Sequence, residues 1–300
     1  MSANTNVYVC SKPLQYFNIR NLPKEDQFKR VLIIEDKFKD AYKFYQQVIE
    51  FDKDWHEVIF IDNRSKIFWI CLFKYSVANF YYYLDFMLKA SILLYVLLCK
   101  KIFVYEEGIS AYRTEIFAKT ANHKRKIRKF FGMSEYAGLH PRTKGIYVYN
   151  KEKYLKTFSF LKRKLNPLPF KVPFQEMIEN NLPLALKIFQ FNANEIFSDV
   201  INKKVLFYIT AWPINESALQ QISVDGYDYI VIKPHPHIRE INLPAAWENA
   251  KTIVIESVIL AEFLVEILRE RDNIIDIYHH NSSAVMYLQP NSHINSINNF

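Results

Sequence analysis

Residues 204–234 read KVLFYITAWPINESALQQISVDGYDYIVIKP. Two runs rich in Val, Ile and aromatic residues, KVLFYIT and YDYIVIKP, enclose ESALQQIS, whose composition suits a helix. Strand, helix, strand is the βαβ pattern, which predicts parallel strands with ligand groups at their carboxyl ends. The pattern continues through KTIVIES (251–257) and NIIDIYHH (273–280), with VILAEFLVEILRER as the helix between them.

The first half alternates in the same way. VYVCS (7–11), RVLIIED (30–36), VIFID (58–62) and KKIFVYEEG (100–108) read as short buried strands. DKFKDAYKFYQQVIEF (36–51) places apolar residues three and four apart, a helical spacing. From about 115 to 195 the chain becomes basic and proline-punctuated (KLNPLPFKVPF), which suits a domain connection. The expectation is an α/β protein of two domains, 1–160 and 161–300, facing each other across a cleft. Length agrees, because 300 residues exceed what one core organises and suit two domains of about 150.

Half the residues are hydrophobic and 16% aromatic, with only 5 glycines, so the chain buries a large core. Cys10, Cys71 and Cys99 are far apart and odd in number, which predicts reduced core thiols and no zinc site. The opening MSANTNVYVC lacks the parts of a signal peptide, and a cytoplasmic address follows as the expectation. Lys74, Asp85 and Lys89 interrupt the apolar run from Ile67 to Cys99, which reads as helices buried in protein and not as a span. The tail NSHINSINNF is polar and reads as loosely packed.

A formal charge of +8 favours anionic partners. The basic cluster HKRKIRKFF (123–131), with KRK at 162–164, suits a solvated helix face or peripheral contact with an anionic membrane. No nucleic-acid-binding motif is present, so a nucleic-acid partner is not expected.

Several strand ends carry chemistry. In YEEG, Glu106 and Glu107 follow a strand and should point in different directions, so at most one enters a cleft. Gly108 permits the turn that follows; the alternative is an ordinary charged loop. In KPHPH, Pro234 and Pro236 would hold His235 in a rigid extended loop beside Lys233. An imidazole there can donate a proton or hydrogen bond to a phosphate at neutral pH. In HHNSSA, Asn281, Ser282 and Ser283 open an apparent helix whose free N–H groups suit phosphate, or form a plain cap. Glu216 in WPINES sits where a helix start favours a carboxylate in any case. Glu262 stands on an otherwise apolar helix, so it should face outward or receive a ligand such as ribose hydroxyls. Asp52 and Asp54 in DKD imitate an acidic metal motif but precede their strand, and no metal is assigned.

YEEG, KPHP about 130 residues later and a serine pair after a further strand resemble the acidic-acidic-glycine, HP and Ser-Ser motifs of bacterial sialyltransferases. CSKPLQ, Cys10 to Gln15, is similar to the first strand and loop of the lipooligosaccharide sialyltransferases, glycosyltransferase family 52. The resemblance implies a GT-B architecture of two Rossmann-like domains. It implies inverting, metal-independent transfer of sialic acid from CMP-sialic acid to a terminal galactose on a glycolipid, with no cofactor.

His235 would serve the leaving phosphate, and Lys233, Pro236, Asn281, Ser282, Ser283 and Glu262 would bind the donor. Gln15 and Tyr105 would lie on the acceptor side. The base would be Glu107 or Glu216, with Glu106 behind them; the family's carboxylate after a proline is replaced here by Ile214 after Pro213. Dimeric relatives make FYYYLDF (80–86) a candidate homodimer interface, against burial in the core. The alternatives are a related GT-B enzyme using another nucleotide sugar and a non-catalytic basic membrane-associated protein.

Overall fold

The computed structural model describes residues 4–83, 85, 101–115, 123, 126, 130, 136–161, 164–210, 219–235, 244, 247 and 251–299. The chain forms two compact α/β units, Met1–Met177 and Ile178–Phe300. The division falls later than the expected 160/161 because a short strand at Pro167–Pro169 completes the first sheet.

The first unit is built on β1 (Thr5–Cys10), β2 (Lys29–Glu35), β3 (Glu57–Ile61), β4 (Val77–Tyr82), β5 (Lys101–Tyr105), β6 (Thr143–Val148) and β7 (Pro167–Pro169). They form one parallel sheet in the order β3-β2-β1-β4-β5-β6-β7. The chain runs outward from β1 to β3 and then resumes on the other side at β4. That reversal between β1 and β4 is the topological switch point of a Rossmann-like sheet, where ligands bind outside the strand carboxyl ends.

Aromatic rings hold the middle of this sheet together. Tyr8 stacks on Tyr81 at 4.5 Å between centroids, Tyr81 on Phe103 at 5.3 Å, and Phe103 meets Tyr147 at 6.0 Å. The row crosses β1, β4, β5 and β6, and such same-face neighbours are the unit of sheet stabilisation. The helix Ala41–Phe51 buries Ala41, Phe44 and Val48, the spacing read from its sequence. Asp85, buried just past β4, accepts hydrogen bonds from Gly138 N, His140 N and Thr143 Oγ1 at 2.8, 3.1 and 3.1 Å. It ties the end of β4 to the loop that leads into β6.

The second unit contains β8 (Lys204–Ile209), β9 (Tyr229–Lys233), β10 (Thr252–Val254), β11 (Ile274–His279) and β12 (Ile294–Asn299). All pair in parallel, in the order β10-β9-β8-β11-β12, so its switch point lies between β8 and β11.

Four expectations need correction. The apolar run from Ile67 is not helical throughout: a helix, Ser65–Phe73, is followed by β4. The stretch expected to be a connection supplies β6 and β7. The polar tail is β12, paired along β11. The segment after HHNS is a single 3-10 turn, Ser283–Tyr287, too short to present a full helix dipole. Phe80–Tyr83 of FYYYLDF are buried, which is the core alternative. Among the described residues, no helix is long and apolar enough to cross a membrane.

Candidate active site

The carboxyl edge of the second sheet gathers the histidine and serine motifs. Lys233 on β9 is registered against Ile209 on β8, and Ile209 against His279 on β11. One row of Cα atoms therefore crosses three strands, and adjacent strands lie roughly 4.8 Å apart, so the β9 and β11 ends are about 10 Å apart.

Hydrogen bonds hold each end. Thr210, immediately after β8 and 4% exposed, accepts a hydrogen bond from His235 N at 2.7 Å. Its own N–H reaches Lys233 O at 3.2 Å. The half-buried His235 is thus anchored at its backbone. The Lys233 ammonium donates to Ser257 O at 2.8 Å and Pro234 O at 3.4 Å, tying β9 to the loop beyond β10.

Glu262 lies buried in the first turn of the helix Ala261–Arg269. Burial pushes its carboxyl up to about 7, while the charge of Lys233 pulls the other way. Of its two expected fates, facing outward is excluded, because Glu262 is only 5% exposed.

Beyond β11 the chain turns sharply. Asn281 adopts φ +52°, a left-handed conformation that asparagine tolerates. Its side-chain carbonyl accepts from Asn299 Nδ2 at 3.1 Å, and its N–H donates to Asn299 Oδ1 at 2.8 Å. Ser282 N donates to His279 Nδ1 at 3.3 Å, and Ser282 Oγ accepts from Ala284 N at 3.3 Å. Ser282 is thus the cap of the 3-10 turn, while Ser283 and Asn281 are exposed. Burial, with His280 alongside, holds His279 below the usual imidazole range.

In the first unit, the two YEEG carboxylates diverge as alternation requires. Glu106 is completely buried; Oε2 accepts from Tyr112 OH at 2.6 Å and Tyr149 N at 2.9 Å, and Oε1 has no partner. Burial raises it to about 8, against those hydrogen bonds and the charge of Lys153. Glu107 turns instead to the sheet edge and forms an ion pair with Lys12, just beyond β1. Gly108 follows at φ +70°, a backbone geometry that a β-carbon would strain.

Gln15 closes the CSKPLQ turn locally. Its Oε1 accepts from Ser11 N at 2.6 Å and Ser11 Oγ at 3.2 Å, and its buried Nε2 is unpartnered. Tyr105, expected on the acceptor side, is fully buried with its hydroxyl bonded to Val9 O, so it joins β5 to β1 within the core. At the end of β2, the buried Glu35 pairs with Arg64 Nε at 2.6 Å and accepts from Tyr83 OH.

Asp52 and Asp54 precede β3, at the opposite edge of the sheet. Both are engaged, Asp52 with Tyr16 OH, Trp55 Nε1 and Arg20, and Asp54 with Lys24. Glu216, Pro236 and the WPINES segment lie outside the described residues.

Sequence reasoning passed over three residues that the strand order makes prominent. Thr210 ends a strand and was detectable by that rule alone. His280 lies inside the quoted HHNSSA, but its role depends on Tyr208, whose hydroxyl meets His280 Nε2 at 2.9 Å. Only the β8-β11 pairing brings those two together.

No protein-family model matches the chain, and no curated protein matches it. Among solved structures it is similar to the UDP-GlcNAc 2-epimerase from Methanocaldococcus jannaschii, with 14% identity over 91% of this chain and 78% of that one, at a TM-score of 0.52. It also overlaps the wall teichoic acid polymerase TagF, with 11% identity, 90% and 70% coverage and a TM-score of 0.48. For the Candida albicans trehalose-6-phosphate phosphatase N-terminal domain, identity is 8%, coverage 96% and 80%, and the TM-score 0.44. With two parallel doubly wound sheets of Rossmann-like order, the chain has a GT-B-type α/β fold.

Proposed function

We propose that this chain is an inverting, metal-independent sialyltransferase that moves N-acetylneuraminic acid from CMP-sialic acid to a terminal galactose of lipooligosaccharide. The observation that carries the reading is the row Lys233, Ile209, His279, which brings the loops bearing His235 and Ser282 to one edge about a nucleotide's width apart.

Loss of CMP leaves oxocarbenium character on the sugar and charge on the departing phosphate. His235 protonates or hydrogen-bonds that phosphate, and the Ser282–Ser283 turn adds hydroxyl and N–H donors. Lys233 supplies positive charge at the same edge. Glu262, with its raised affinity for a proton, accepts or shares hydrogen bonds with ribose hydroxyls. Glu107 takes the proton of the attacking acceptor hydroxyl; among the described carboxylates of the motif, it is the one at a sheet edge, whereas Glu106 is sealed among tyrosines.

The acceptor glycolipid would be met at an anionic inner membrane surface by a cytoplasmic protein held there peripherally. His123, Lys126 and Phe130 of the basic cluster are exposed, as such docking needs.

Thermal denaturation with CMP and with UDP tests the donor. The reading expects a concentration-dependent rise in Tm with CMP. A rise with UDP alone would remove the sialyl assignment in favour of another nucleotide sugar.

A further inference from the structure

β8 holds a histidine loop on each side. Tyr208 and Thr210 alternate with Ile209 and so lie on the same face of the strand. Thr210 Oγ1 receives the His235 N–H from the β9 side, and the Tyr208 hydroxyl meets His280 Nε2 from the β11 side. Two imidazole-bearing loops are thereby fixed to one face of one strand, next to the β8/β11 switch point.

The Tyr208 end of this contact is rigid. Tyr208 is fully buried and packs edge-on against Trp247 at 5.7 Å and 86°. Its hydroxyl has a defined position, and the His280 ring stands nearly perpendicular to it at 87°, with centroids 5.7 Å apart. A buried phenol needs some partner, and satisfying it is the plainest use for His280. That use does not account for the turn that follows. The left-handed Asn281, held by two hydrogen bonds to Asn299 at the end of β12, bends the chain directly after the half-buried His280, which follows β11 at the carboxyl edge of the sheet.

We propose that His280, oriented by Tyr208, is a second imidazole of the phosphate site, facing the ligand from the β11 side as His235 does from the β9 side. The inference rests on this edge binding a nucleotide, not on the nucleotide being cytidine or the sugar sialic acid. His280 is assigned as a ligand contact and Tyr208 as its positioning residue.

Calorimetric titration of the full chain with CMP and with cytidine separates phosphate recognition from recognition of the nucleoside. H280A should lower CMP affinity about 10-fold, the size of one charge-assisted hydrogen bond, and leave cytidine unchanged. Y208F, which keeps the ring against Trp247, should lower CMP affinity about 3-fold in the same selective way. A purely structural role predicts equal losses for CMP and cytidine. Where H280A lowers thermal stability, H280N repeats the test with a hydrogen-bonding group retained.

Should the protein prefer UMP or AMP, the same ratio is read with that nucleotide and its nucleoside; the sialyl assignment then falls and this inference stands or falls on the ratio. An unchanged nucleotide-to-nucleoside ratio in the variants overturns it, as does a wild-type protein that binds no nucleoside monophosphate more tightly than the nucleoside.

Discussion

Thr210 and His235 are joined across neighbouring strands: the Thr210 hydroxyl accepts the His235 backbone N–H at 2.7 Å. The loop carrying the imidazole is therefore held at its second residue by a side chain at the end of a different strand. Thr210→Val removes the acceptor but keeps the shape. It should cost about 1–2 kcal/mol in urea unfolding and lower kcat about 10-fold, with Thr210→Ser recovering most of both. Unchanged kcat in Thr210→Val would show that this anchor does not position the imidazole.

The two glutamates of YEEG give separate predictions, one for the proposed catalysis and one for stability. The Glu107 side chain is 13% exposed but its partner Lys12 is 59% exposed, so solvent screens the pair and its contribution is about 1 kcal/mol. Glu107→Gln should leave the unfolding midpoint nearly unchanged while lowering kcat at least about 100-fold, as loss of a general base does. Full activity in this variant would move the base elsewhere.

Glu106 predicts a pH effect of definite sign. Its pKa is raised from 4.5 to about 8, so the folded state holds a proton that the unfolded state releases between those values. Its contribution is fully present below pH 4.5 and is lost as pH rises through about 8, on the order of 4 kcal/mol over the window. Urea unfolding at pH 5 and pH 8 should show wild type losing more stability than Glu106→Gln by about that amount. Parallel profiles would contradict the assignment.

Glu35 is buried, and Arg64 supplies its charge partner. Arg64→Ala leaves that carboxylate uncompensated and should destabilise the first unit by about 3 kcal/mol. Adding Glu35→Gln removes the stranded charge and should recover much of the loss, a coupling measurable as a double-mutant cycle. Additive costs would mean that the pair is not coupled.

The regular part of this fold was legible wherever apolar runs were short and bounded. β1, β2, β3, β5 and β8 to β11 all coincide with runs of Val, Ile and aromatic residues. β4 was hidden because VANFYY sits inside a long apolar run, where helix and strand periodicity cannot be told apart. β7 has the sequence PLP, which only an edge position tolerates. β12, INSINN, owes its strand to pairing with β11 and not to propensity, a tertiary effect invisible locally. In the site, His235 and Lys233 announce themselves by ending a strand. Thr210, Tyr208 and His280 become partners only once β8 is known to lie between β9 and β11.

His235 is proposed to serve the departing phosphate of a CMP-sialic acid donor. The most direct test is a radiolabelled transfer assay from CMP-sialic acid to a panel of galactosides, run on wild type and His235→Ala. Label is expected on a terminal galactose with wild type, with a loss of at least about 100-fold in the variant at unchanged thermal stability. Transfer that is undiminished in His235→Ala, or no transfer to any galactoside by the folded wild type, would contradict it.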